Sequence, residues 1–97
     1  MPTYIMLVNW TQQGIEKIKE SPARVDAVRS LFKEMGGEVK GFYVVLGRYD
    51  GVVIAEAPND ETAAKIALAL GSKGTARSET LRAFNEDEFR KIISALP

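Results

Sequence analysis

The sequence predicts an α+β fold in which two strand–helix–strand units share one antiparallel sheet. Three observations carry this expectation. Short apolar runs rich in β-branched and aromatic residues occur at Tyr4–Val8, Glu38–Leu46 and Gly51–Ala57. Apolar residues at helical spacing lie before the second run and after the third. The second and third runs are joined by the short turn Gly47-Arg-Tyr-Asp50, a connection that only antiparallel neighbours permit.

Tyr4–Val8 is the first strand. Thr11 is placed to cap the helix that follows, with Ile15 and Ile18 on one face. Ser21-Pro22 is expected to restart that helix, serine as its cap and proline in its first turn. Val25, Val28, Leu31, Phe32 and Met35 continue the apolar face, and Gly36-Gly37 ends it. The first crossover is thus a helix in two pieces, bent near Pro22. Pro58 stops the third strand, Asn59 or Asp60 caps the next helix, and Ala63, Ile66, Ala67 and Leu70 form its buried face up to Gly71. Thr75–Phe84 is a fourth, more polar strand. Asn85-Glu-Asp-Glu88 has the spacing of a capping box, followed by a stripe of Phe89, Ile92, Ile93 and Leu96 on a last helix.

The order is βαββαβ plus one helix, which suits a ferredoxin-like sandwich with helices on one sheet face. Right-handed crossovers give the spatial strand order 4-1-3-2. The 97 residues suffice for one domain, residues 1–97, without internal repeats.

Side chains alternate between faces along a strand. Tyr4, Met6 and Val8 oppose Ile5 and Leu7; Phe42, Val44 and Leu46 oppose Tyr43 and Val45; Val52 and Ile54 oppose Val53 and Ala55. Both faces are apolar, yet the crossover helices cover only one. A sheet with one wet face shows polar residues there. Either the last helix folds over the second face, or a second copy packs sheet against sheet. The homodimer, or a higher homo-oligomer built on it, is the preferred reading, because one short helix is small for a four-stranded face.

Composition narrows the function classes. Thirteen basic and thirteen acidic residues give zero formal charge, so no basic surplus marks a nucleic-acid partner. There is no cysteine, which removes disulfides and thiolate chemistry, and no histidine, which removes the commonest general base and metal ligand. No cofactor and no metal are expected. Asn59-Asp-Glu61 reads as a helix cap with favourable negative charge rather than as a metal site. The N-terminal residues lack a signal-peptide pattern, no run spans a bilayer, and a cytoplasmic location is expected, without membrane association.

The predicted order gathers Asn9, Trp10, Thr11, Arg48, Tyr49, Asp50, Lys73 and Arg77 at one rim of the sheet. Arg48 and Arg77 have the donors to clamp a carboxylate or phosphate. Trp10 and Tyr49 have faces on which a flat ring stacks, and Asp50 and Tyr49 can accept and donate a proton. The plainer readings stand beside these. Asp50-Gly51 is an ordinary turn signal, Arg48 and Asp50 can pair across the hairpin, and Trp10 can plug the sheet end. Polarity at Arg77, Glu79 and Thr80 fits an edge strand, where charge discourages unwanted pairing.

Gly47-Arg-Tyr-Asp50, Glu56-Ala-Pro-Asn-Asp-Glu61 and Gly74-Thr-Ala-Arg-Ser-Glu-Thr-Leu-Arg-Ala-Phe84, in this order, resemble the GYD domain family of bacteria and archaea. The resemblance spans nearly the whole chain. It implies a ferredoxin-like protein of the dimeric α+β barrel type, with motif positions at Gly47, Tyr49, Asp50, Arg77 and Thr80. It carries no catalytic assignment. Relatives often begin the second crossover helix with Asp-Asp-Glu where this chain has Asn59-Asp-Glu61.

Three functions follow as expectations. The first is a homo-oligomer that binds a small polar or anionic aromatic ligand near the hairpin, through Trp10, Arg48, Tyr49, Asp50, Arg77 and Thr80. The second is a cofactor-independent monooxygenase or isomerase of the dimeric α+β barrel type, weakened by the lack of histidine. The third is an interaction module without ligand. A rim that lines a cavity favours the first two; a filled rim favours the third.

Overall fold

The computed structural model describes residues 1–97. Strand β1 (Thr3–Trp10) leads through Thr11 into helix α1 (Gln12–Glu16), a 3-10 turn (Ile18–Glu20) and helix α2 (Ser21–Glu34). Strands β2 (Glu38–Val44) and β3 (Gly51–Glu56) form the hairpin. Helix α3 (Asp60–Gly71), strand β4 (Ala76–Ala83) and helix α4 (Glu86–Ser94) complete the chain. The sheet has four strands in the order β2-β3-β1-β4, with every neighbouring pair antiparallel. This is the expected order, and the fold is a ferredoxin-like α+β sandwich.

The core lies between one sheet face and helices α2 and α3. Tyr4 and Met6 of β1, Val39 of β2 and Val53 and Ala55 of β3 meet Phe32 of α2 and Ala63 and Ile66 of α3. Val8, Phe42 and Leu70 are half-buried against them. The buried positions of β1 and β3 alternate as the sequence pattern required. In β2 a register shift between Val39 and Gly41 inserts Lys40, so that Val39 and Phe42 both face the core.

Two local expectations need correction, and one alternative falls away. Ser21 does not cap α2. The 3-10 turn runs directly into the helix, Ser21 already has helical dihedrals, and no side chain caps that end. The break therefore falls at Lys17–Glu20, ahead of Pro22. Arg24 steadies it by donating to the carbonyls of Lys17 (3.0 Å) and Gly14 (3.2 Å). Second, β2 ends at Val44 rather than Leu46. Val45 N–H turns to the Asp50 carbonyl (3.0 Å), and Gly47 takes φ +148°, a conformation suited to glycine. Leu46 is fully exposed and Val44 largely so; neither joins the core face. Third, the last helix does not cover the second sheet face, and no element packs along it.

α3 begins as expected: Asn59 accepts from Thr62 N–H at 2.8 Å. Asp60 has a different partner, the Tyr4 hydroxyl at 2.5 Å. No helix is long and apolar enough to cross a membrane.

Candidate functional site

The rim forms at the end of the sheet where β1 leaves, the hairpin turns and β4 begins. Its backbone is built from hydrogen bonds between distant segments. Asp50 N–H donates to the Val8 carbonyl at 2.8 Å, and Thr11 N–H to the Thr75 carbonyl at 3.1 Å. The Thr11 hydroxyl donates to the Gly74 carbonyl at 2.6 Å and accepts from Gly14 N–H at 3.2 Å, so one side chain caps α1 and ties it to β4. Gly14 permits the approach: a Cβ there would lie 2.0 Å from the Thr75 carbonyl oxygen.

The hairpin signature residues are engaged in the same lacing. The Asp50 carboxylate accepts from Trp10 N–H at 3.0 Å. It is not paired with Arg48. The Arg48 carbonyl accepts from the Asn9 side-chain amide at 2.9 Å, and its guanidinium is exposed without an intramolecular partner. The Tyr49 hydroxyl crosses β1 to donate to Glu79 of β4 at 3.1 Å. That carboxylate holds the Tyr49 phenol above its ordinary pKa, first through the hydrogen bond and then through its charge. A phenol so held is a poorer proton donor, and Asp50 has its carboxylate occupied.

The predicted residues divide between the two sides of the sheet. Tyr49 and Glu79 lie on the open face, because Glu79 is registered opposite Leu7. Thr80 is opposite Met6, and Trp10 opposite Ala76, so alternation places both on the covered side. Trp10 and Tyr49 therefore do not form one stacking slot, and Thr80 does not join the hairpin. Arg77 is opposite Asn9, on the same side as Glu79, and at the strand edge it borders a groove of about 520 Å³ between α3 and β4, with Thr11, Leu68, Gly71, Gly74 and Ser78. The hairpin itself is laced by hydrogen bonds to β1 and β4. β4 is an edge strand, which accounts for its polarity as expected.

Sequence reasoning missed two partners. Glu79 was readable only as edge polarity, although its separation of two from Arg77 puts both on one strand face. Tyr4 was readable as an apolar core residue. A buried tyrosine needs a hydrogen-bond partner, and Asp60 supplies it at the sheet end remote from the rim. Burial first, then Asp60, pushes the Tyr4 phenol up to about 12. Arg82 spans the same region, 5.8 Å from the Tyr4 ring centre and 4.4 Å from that of Phe84.

The fold and the laced hairpin define a small ferredoxin-like domain of the α+β class. The GYD domain matches residues 4–93, and the chain belongs to that family. It is 38% identical over 84 residues to the glutamine synthetase and cystathionine beta-lyase binding protein of Thermus thermophilus, covering 86% of this chain and 88% of the relative. Among solved structures it resembles TTHA0845, also of Thermus thermophilus, with TM-score 0.55 and 26% identity over 88% of this chain and 95% of the other. It also resembles the leucine response regulatory protein of Mycobacterium tuberculosis, with TM-score 0.65 and 13% identity. That match covers 87% of this chain but only 51% of the regulator, and it concerns fold alone.

Proposed function

We propose that this protein is a cytoplasmic homodimer that binds metabolic enzymes through the hairpin rim and acts without catalysis of its own. One observation carries the reading: the hairpin is braced by hydrogen bonds while presenting Leu46, 100% exposed, beside an unpartnered Arg48. An exposed leucine beside a free guanidinium on a braced turn supports a protein contact over an enclosed small-molecule pocket, arginine being enriched at interfaces. The 38% identical relative is named for binding glutamine synthetase and cystathionine beta-lyase, and these two enzymes are the first candidates. Open-face side chains Ile5, Leu7, Val52 and Ile54 support sheet-to-sheet dimerisation. Isothermal titration against both enzymes tests the reading. Binding that disappears in Leu46→Asp and Arg48→Glu supports it; no heat with either enzyme at tens of micromolar (about −6 to −7 kcal/mol of affinity) refutes it.

A second reading keeps a small anionic ligand, in the groove beside Arg77. The groove is open and Arg77 has no intramolecular ion pair. A carboxylate or phosphate compound that raises Tm in the parent and not in Arg77→Ala would establish it.

A further inference from the structure

The two edges of the sheet are finished differently. β2 carries the register shift between Val39 and Gly41, and the inserted Lys40 pairs with Glu38 at 3.1 Å. A bulge and a lysine are devices by which an edge refuses a further strand. β4 has neither. It stays in unbroken register with β1, from Ala76 opposite Trp10 to Ala83 opposite Thr3, and contains no proline. Its charges at Arg77 and Glu79 are opposite in sign, so they discriminate among incoming strands rather than repel all of them.

Backbone alternation fixes which groups of β4 stay unpaired. Thr11 N–H donates to the Thr75 carbonyl at 3.1 Å, one step beyond the pairing of Asn9 with Arg77 and Trp10 with Ala76. Residues that exchange bonds in an antiparallel ladder recur at every second position. Arg77, Glu79 and Leu81 therefore turn their N–H and carbonyl groups to β1, whereas Ser78 and Thr80 turn theirs outward. Both are exposed, and no strand lies beyond β4.

Helix α3 stands back from this edge. Leu68, 74% exposed, walls the groove, and Ala76 and Ser78 border it beside the free ladder. A Cβ on Gly71 would meet no atom within 4 Å, so the groove is open there as well. An exposed strand edge takes an added strand by main-chain bonds, while pockets beside it receive alternate side chains. A second copy pairing its own β4 here would bring only Ala76, Ser78 and Thr80 to the groove side, and these small residues leave it unfilled. Larger apolar side chains suit the groove. On the other face, Arg77 has no intramolecular ion pair, and a carboxylate directly opposite it complements its charge.

We infer that β4 takes an extended peptide segment of another protein as a fifth strand, with apolar side chains in the α3 groove and an acidic side chain opposite Arg77. The inference rests on the Arg77 groove of the second reading above and names its occupant: the carboxylate arrives on a chain.

The probe is the end-blocked peptide Val-Lys-Leu-Glu-Val. Antiparallel to β4, it sets leucine opposite Ser78, glutamate opposite Arg77 and lysine opposite Glu79. Nuclear magnetic resonance of the isotope-labelled full chain should show exchange of the Ser78 and Thr80 amides slowed about tenfold at saturating peptide. Ser78→Pro removes an outward N–H and spares the β1 ladder, so it should keep the folded dichroism and weaken binding at least about tenfold. Arg77→Glu leaves the backbone untouched; it should weaken this peptide about threefold or more, and lysine in place of the peptide's glutamate should restore binding. Equal binding by the parent, Ser78→Pro and Arg77→Glu overturns the inference. Glutarate that shifts the Arg77 resonances, with Ser78 and Thr80 unmoved by the peptide, overturns the added strand and leaves the anion site standing. No response to either compound overturns both. Ser78 and Thr80 amides protected in the protein alone, and released on dilution, place a second copy on the edge and overturn the peptide.

Discussion

Asp50 shows how one residue of the family signature acts. Its carboxylate takes the Trp10 N–H, its own N–H goes to Val8, and its carbonyl accepts from Val45 N–H. The side chain thus does the work of a missing backbone acceptor where β1 leaves the sheet. Asp50→Ala leaves the half-buried Trp10 N–H without that partner and is expected to cost about 1–3 kcal/mol in urea unfolding. Asp50→Asn retains an acceptor oxygen and should lose less; equal losses would show that charge rather than geometry matters. Tyr4 allows a pH prediction. Its folded pKa is raised to about 12 from 10.0, so the unfolded chain ionises first. The stabilisation is fully present below pH 10 and is lost as pH rises through the interval to 12. Urea midpoints of parent and Tyr4→Phe, measured at pH 8 and at pH 11, should converge at the higher pH. An unchanged difference would mean that the phenol titrates alike in both states.

At the scale of elements, α4 depends on the Asn85–Glu88 capping box. The Asn85 backbone N–H holds the Glu88 carboxyl below its ordinary pKa, with Arg82 assisting. A depressed carboxyl stabilises above its unfolded pKa, and that contribution fades as pH falls through the folded value. Amide and methyl chemical shifts of Ile92 and Ile93 should therefore move towards unfolded positions below about pH 4, before those of Ile66 in α3. Asn85→Ala should produce the same shifts at neutral pH, at a cost of about 1 kcal/mol. Simultaneous loss of both helices would contradict an independently frayed α4. This cap was legible in the sequence because capping is local chemistry, and so were the strand order and the Asn59 cap. The ends and irregularities were less legible. The 3-10 entry to α2 depends on Arg24 reaching back to Gly14 and Lys17, and the early end of β2 depends on Asp50 taking Val45. The Lys40 bulge is set by pairing with β3. At the candidate site, sequence order located the rim correctly. It did not separate Trp10 and Thr80 from Tyr49, because that division follows from register across β1.

The whole molecule is thin for its length. Its extents are 52 × 31 × 18 Å, and 11 of 97 residues are buried. One helix layer on one sheet face produces that count, and the remaining apolar residues lie on the open face and on α4. Two kinds of substitution should therefore behave differently. Ile66, fully buried on the sheet-facing side of α3, contributes to the folding of each chain, and Ile66→Ala should cost about 2–5 kcal/mol through a core cavity. Ile54 points to the open face at the centre of the sheet, paired with Ile5. A charge there meets water in an isolated chain but a second apolar sheet in a dimer. Ile54→Asp should leave the folded dichroism of the dilute protein intact while abolishing sedimentation as a dimer. The Tm of the parent should rise with protein concentration, as association predicts, and that of Ile54→Asp should not. If Ile54→Asp instead unfolds the chain at every concentration, the open face serves folding of the single copy. If it leaves association untouched, the dimer contact lies elsewhere and the apolar open face is not the surface that pairs.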